Sequence, residues 1–245
     1  MPLAITELTD DVGTITMNHR KKLNALSDAL IEEIINALTE FRESKARAVV
    51  LRANDGVKVW SAGHDVNELP TSRRDPLGWD DPLRMLIREI ETAPMPILAM
   101  VEGGVWGGAC EVAFACDMVV AERNATFAIT PAKLGVPYNT TGVLNFMHAA
   151  SRLIVREMAF TAQPIQAERA AVLGIINYAV DKDELQAKVE ELVGYIKRNA
   201  PLSIAVIKEQ IRLLESAHSI TPRMFERIQG LRREVYDSED YKEGL

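Results

Sequence analysis

Two stretches carry residue types that could do chemistry. Residues 61–66 read SAGHDV, and residues 101–121 read VEGGVWGGACEVAFACDMVVA. In the second, Gly103, Gly104, Gly107 and Gly108 stand between an apolar strand and an almost wholly apolar helix. That helix carries one carboxylate, Glu111, among Ala109, Cys110, Val112, Ala113, Phe114 and Ala115. The glycines do not match G-x-G-x-x-G, which argues against a dinucleotide fold. No Gly-Lys-Ser/Thr follows them, so they are not a phosphate-binding loop either.

A physical reading remains. Glycine lets a ligand approach the backbone closely. The first N–H groups of a helix lack internal partners and carry partial positive charge. An oxygen that becomes negative during a reaction is stabilised there, one such donor contributing about 3–4 kcal/mol in well-studied enzymes. The alternative is a tight strand-to-helix turn with close packing. Glu111 is equally two-sided. A helix apolar all round is buried, so its carboxylate is either a satisfied structural group or an acid or base with a shifted pKa.

These residues need elements to hold them. LAITEL and GTITMN alternate around DDVG, a hairpin pattern. Ser27 caps a helix with Leu30, Ile31, Ile34, Ile35, Leu38 and Phe41 at helical spacing. ARAVVLR (46–52), PILAMVEG (96–103) and DMVVA (117–121) are continuous apolar runs, as buried parallel strands are. PTSRRDPLGWDDP (70–82) has no periodicity and reads as a functional or mobile loop. From Gly142 the pattern predicts helices over 142–160, 166–173, 182–199, 201–217 and 221–236, with Pro201 and Pro222 at helix starts. No sequence repeat is clear.

Composition narrows the class. The 245 residues are 47% hydrophobic and 26% charged, with net charge -7, enough for a full core. An acidic balance argues against nucleic-acid binding. No run of about 18 apolar residues occurs, so no membrane partner is expected. Cys110 and Cys116, six apart in one segment, are poorly placed for a disulfide if it is helical. With an N-terminus unlike a signal peptide, they predict a cytoplasmic protein.

Four stretches together resemble the crotonase, or enoyl-CoA hydratase, superfamily. SAGHD is similar to its first oxyanion segment and VEGGVWGGACE to its second. RKKLNAL (20–26) resembles its basic CoA-contacting stretch, and ATFAITPAKLGVPYNTTG its segment with a second catalytic glutamate. The resemblance implies an α/β crotonase fold, with a ββα spiral core over 1–190 that carries CoA and the active site. Residues 191–245 would be a helical trimerisation region. The family usually continues past DSEDYKEG with a Phe- and Lys-bearing tail over CoA, which is expected to be lacking here.

The resemblance also implies roles. The oxyanion donors are the backbone N–H groups of His64 and Gly108. CoA contacts fall on Arg20, Lys22, Ala25, Ala62, Gly63, His64, Asp65, Val66, Gly107, Gly108 and Thr130. The second hydratase glutamate falls on Pro131, so only Glu111 of the pair remains. Hydration needs water activated by a carboxylate pair, which proline cannot supply. The finer resemblance is to superfamily members that decarboxylate short malonyl-type thioesters, methylmalonyl-CoA to propionyl-CoA. Tyr138 and Thr130 flank the lost glutamate and can hydrogen-bond. Tyr138 is expected to orient the substrate carboxylate or thioester, or else simply to pack. The His64 ring is a second possible substrate contact. No cofactor or metal is implied beyond the CoA of the substrate, and the assembly implied is a homotrimer or homohexamer. The alternatives are a hydratase or isomerase using Glu111 on another short acyl-CoA, and a non-catalytic CoA-binding protein.

Overall fold

The computed structural model describes residues 2–68, 79–215 and 221–244. Most of the loop expected at 70–82 therefore lies outside the described residues. The alternating hairpin forms as β1 (Ala4–Thr9) and β2 (Val12–Met17), paired antiparallel. Ser27 caps α1 (Asp28–Glu43), its hydroxyl accepting from the Leu30 N–H, and the helix buries Leu30, Ile31, Ile34, Leu38 and Phe41.

From there one unit recurs. β3 (Ala48–Ala53), β5 (Ile97–Val101) and β7 (Met118–Glu122) enter a six-stranded sheet ordered β1-β2-β3-β5-β7-β10, where β10 is Tyr178–Val180. Each is followed by a three-residue strand, β4 (Val59–Ser61), β6 (Gly104–Trp106) or β8 (Thr126–Ala128), in a second sheet ordered β4-β6-β8-β9. β9 is Ile165–Gln166. A helix closes each unit: α2 (Pro82–Thr92), α3 (Gly108–Ala115) and α4 (Thr140–Ala149). The chain is thus a stack of ββα units whose periodicity is structural, with no matching sequence repeat. Three residues are too few to carry an alternating pattern, so the second sheet leaves no sequence signal.

The helical half differs in detail from the sequence pattern. The helix expected at 142–160 is two, α4 and α5 (Arg152–Thr161), broken at extended Ala150 and Ser151. After α6 (Ala167–Val172), α7 (Leu185–Arg198) lays Leu185, Val189, Leu192, Val193 and Ile196 on Ala48, Val50, Leu98, Met100 and Val120 of the large sheet. The expected boundary at 190/191 cuts this helix, whose apolar face is continuous, so the core extends through α7. The helices beyond are α8 (Pro201–Glu215), α9 (Pro222–Tyr236) and α10 (Glu239–Gly244). α8 buries none of its residues and exposes Leu202, Val206, Ile207, Ile211 and Leu214. Lys208 ties it to the core through the Ile90 and Met95 carbonyls and Asp117. α10 returns to lie against the 3-10 turn at Pro131–Leu134.

The segment 20–26 is pinned beside 61–65. Leu23 and Asn24 are both left-handed, at φ 52 and 49. Buried Asn24 accepts from the His19 N–H (2.8 Å) and donates to the Trp60 carbonyl (2.9 Å). Its own carbonyl accepts from the Ser61 hydroxyl at 2.7 Å. Asparagine tolerates this conformation better than most residues. Asn24→Ala should therefore lower stability by about 1–3 kcal/mol for each buried group left unpaired, read as a fall in the urea midpoint with an unchanged slope.

Candidate active site

Two short strands of the second sheet end where the functional segments begin. After β4 the chain turns through Gly63, at φ +89. After β6 it turns through Gly107, at φ 55 and ψ -124, and enters α3 at Gly108. A methyl group on Gly63 would lie 2.4 Å from the Trp106 carbonyl oxygen and 3.0 Å from the Gly108 nitrogen. Only bare backbone allows that approach. The Gly63 carbonyl accepts from the Leu26 N–H, and the Asp65 N–H donates to the Leu26 carbonyl. This bridge skips the His64 N–H. Among the described residues, neither the His64 nor the Gly108 N–H has a hydrogen-bond partner. A methyl on Gly108 would sit 3.4 Å from the His64 nitrogen, so the two amides address the same small volume.

That volume is a cavity of about 80 Å³. Of the residues expected at the site, Ala62, His64, Val66, Gly107, Gly108, Thr130 and Tyr138 line it. Leu83, Pro131, Leu134 and Val136 complete the wall. Pro131, where the resemblance places a hydratase glutamate, is part of that wall. Among the described residues the wall contains no carboxylate.

The remaining expected residues do not line the cavity. Lys22 is spent on buried Asp65, whose carboxylate it meets at 2.7 Å and holds below the usual carboxylate range. Arg20 reaches the Asp55 carbonyl at 3.4 Å, and Ala25 is buried beside Leu26. Gly63 acts behind the cavity as a spacer.

The sequence leaves Glu111 open between a structural group and an acid or base. It is fully buried and does not line the cavity. Its Oε1 takes the Arg84 guanidinium, and its Oε2 accepts from the Tyr138 hydroxyl at 2.9 Å. Burial pushes the Glu111 carboxyl up, against the opposing pull of Arg84 and Tyr138. Burial and the Glu111 charge raise the Tyr138 hydroxyl well above its ordinary value, so it remains a phenol. A phenol has one proton, and here Glu111 holds it. Tyr138 therefore presents its ring to the cavity, and its hydroxyl does not donate to a substrate carboxylate while this bond stands. Gly142, in the first turn of α4, makes the room: a methyl there would fall 2.2 Å from the Tyr138 ring and 2.7 Å from Glu111 Oε2.

Arg84 was not visible to sequence reasoning, nor was Asp81. Both come from α2. Asp81 caps it, Oδ1 accepting from the Leu83 N–H at 2.9 Å, with Pro82 at the first position. The signal was present: Asp-Pro before Leu83, Leu86, Ile87 and Ile90 is a helix start. The Asp81 Oδ2 stands 3.6 Å from His64 Nε2. Burial opposes charge on the His64 ring, but Asp81, the Asp65 carbonyl and, further off, Asp28 outweigh it and raise its pKa.

Removing one partner of a buried ion pair strands the other charge. Arg84→Met should cost about 3–5 kcal/mol at neutral pH. Its Glu111 pKa rises further, so stability is retained at low pH and lost as pH climbs from the unfolded value, about 4.3, through the folded one. The melting-temperature deficit of the variant should be larger at pH 7 than at pH 5. A deficit independent of pH would mean that Glu111 does not carry the charge.

Comparison with known proteins identifies the family. The family described as enoyl-CoA hydratase/isomerase matches residues 7–245. Methylmalonyl-CoA decarboxylase of Escherichia coli K12 is 49% identical over 96% of this chain and 90% of its own. Carnitinyl-CoA dehydratase of Salmonella typhi is 33% identical over 79% of this chain and 74% of its own. A crystal structure of methylmalonyl-CoA decarboxylase complexed with 2S-carboxypropyl-CoA superposes with a TM-score of 0.97 at 47% identity, covering 100% of this chain and 94% of the other. With ββα units, facing amides and match in agreement, this chain belongs to the enoyl-CoA hydratase/isomerase family and has the crotonase fold.

Proposed function

We propose that the chain decarboxylates a short malonyl-type CoA thioester, methylmalonyl-CoA to propionyl-CoA. The observation that carries this reading is a cavity with two free amides and no carboxylate among its described wall residues. Removing an α proton or activating water requires a base facing the substrate. Losing carbon dioxide requires none. It requires the C–COO bond held perpendicular to the thioester plane, an apolar place for the carboxylate, and donors for the enolate oxygen. The Tyr138 ring, Leu83, Leu134 and Val136 are the apolar place. The His64 and Gly108 N–H groups are the donors. Similarity to a decarboxylase at 49% identity supports the same reaction. A hydratase or isomerase working through Glu111 is disfavoured, because Glu111 lies behind Tyr138 on Arg84.

The CoA arm is proposed to run along backbone of 62–66 beside 20–26, with Arg20, Lys22 and Ala25 at that edge. No cofactor beyond substrate CoA is proposed. Among the described residues no helix is long and apolar enough to cross a membrane. Two buried free thiols, Cys110 and Cys116, support a cytoplasmic setting. The exposed apolar residues of α8 support a homotrimer or a dimer of trimers, with 201–244 as the trimerisation region. Light scattering at micromolar concentration should give a mass of three or six chains, and a monomer would remove the assembly.

Incubation with methylmalonyl-CoA should release carbon dioxide and propionyl-CoA, while crotonyl-CoA stays unhydrated. Gly108→Ala tests the amide. Its methyl would occupy the space before the His64 nitrogen, 2.8 Å from Leu83 Cδ2. Turnover should fall on the order of 10²-fold or more, with CoA affinity much less affected. A variant that melts early but keeps full activity per folded molecule would take Gly108 out of the mechanism.

A further inference from the structure

Decarboxylation leaves an enolate that must gain one proton at its α-carbon, and the cavity wall offers few sources. The Tyr138 proton is held by Glu111. Thr130 is an alcohol, far too weak an acid to compete with an imidazolium. Lys22 is tied to Asp65 outside the cavity. The described wall has no carboxylic acid. The His64 ring remains, and its two nitrogens are held differently. Its Nδ1 meets the Asp65 carbonyl at 3.1 Å, which fixes a proton on that nitrogen. Its Nε2 is buried without a hydrogen-bond partner among the described residues, 3.6 Å from Asp81 Oδ2. A buried polar nitrogen left unpaired costs stability unless a ligand uses it.

Resting on the decarboxylase reading above, we infer that the His64 imidazolium, held by Asp81, is the acid that protonates the enolate carbon. The bond from the α-carbon to the carboxylate breaks and carbon dioxide leaves. The electron pair passes into the thioester as an enolate, whose oxygen sits on the His64 and Gly108 amides. The α-carbon then takes the Nε2 proton. The neutral imidazole keeps its Nδ1 proton on the Asp65 carbonyl and takes one proton back from water, so each turnover consumes one proton. Asp81 is a positioning residue: it caps α2 with one oxygen and stands 3.6 Å from the ring nitrogen with the other, where it favours the protonated ring. The other acidic group acting on the ring is Asp28, at longer range; Asp65 acts through its backbone carbonyl, while its carboxylate faces Lys22 and Asn67. Asp81 and the Asp65 carbonyl shift the His64 pKa upward against burial, the direction that a proton donor at this position needs.

The test uses the whole protein and methylmalonyl-CoA in D2O. A proton delivered from one fixed nitrogen reaches one face of the enolate, so the wild type should give α-deuterated propionyl-CoA as a single enantiomer. His64→Gln keeps the backbone amide and removes the acid, so the label should become racemic. Asp81→Asn keeps the helix cap and removes the charge. The alkaline limb of its kcat profile should move to lower pH, because the acid form of His64 is lost as pH rises through a now lower pKa. Racemic product from the wild type, an enantiomeric excess that survives His64→Gln, or an unmoved limb in Asp81→Asn would each overturn the inference. No carbon dioxide from the wild type overturns the decarboxylase reading, and the inference with it. Carbon dioxide with a racemic label overturns the inference alone.

Discussion

The site depends on a backbone-to-backbone contact. Gly63 and the turn at 106–108 pack so closely that a single Cβ on Gly63 would enter the Trp106 carbonyl. The approach is backbone on backbone, and the Ser61 hydroxyl oxygen holds the Gly63 N–H at 3.2 Å. It is the fixed distance between two ββα units, and it converts two ordinary strand ends into a pair of converging N–H groups. Preorganised donors need no reorganisation as charge develops. The same contact explains why the second sheet can be so slight. Its strands need only end in register, since the glycine turns then aim the two amides.

Behind the cavity the protein carries a buried ion pair, a feature that is weak evidence for stability and strong evidence for geometry. Arg84 and Glu111 come from α2 and α3, 27 positions apart in sequence. Their pairing locks the two helices in rotation and withdraws a carboxylate from the reaction space. Tyr138 completes the arrangement by closing over Glu111, and Gly142 leaves the room for it to do so. A residue type associated with acid–base work thus acts here as an anchor. The groups left facing the cavity, among the described residues, include the His64 and Gly108 amides but no carboxylate.

Much of this was legible in the sequence because it is local and periodic. The β1–β2 hairpin, the Ser27 cap, the buried strands β3, β5 and β7, and the glycine-opened helix each announce themselves within a few residues. The facing of His64 and Gly108 came from resemblance, not from spacing. What stayed hidden is either too short or too distant. β4, β6 and β8 are three residues each and carry no period. Arg84 finds Glu111 across a gap that no local pattern spans. The break between α4 and α5 falls at extended Ala150 and Ser151 inside an otherwise continuous apolar pattern, and the Ser151 side chain makes no capping hydrogen bond. The Asp81-Pro82 helix start was readable, yet it sits at the edge of an aperiodic loop whose composition drew the boundary one residue too late.

The first turn of α2 has a consequence for how the site assembles. Asp81, Leu83 and Arg84 touch the imidazole, the cavity and the buried carboxylate from one rigid turn, which Leu86, Ile87 and Ile90 fasten to the core. These three contacts therefore form or dissolve together. A partly open state in which α2 has detached retains every strand, both glycine turns and both amides. It lacks the Asp81 contact to the imidazole and the Arg84 partner of Glu111, and its cavity is open where Leu83 stood. Such a state is native by its sheet content and empty of function, and the free energy separating it from the closed one belongs to a single helix. The exchange rates of the α2 amides measure the fraction of molecules that are competent at any instant.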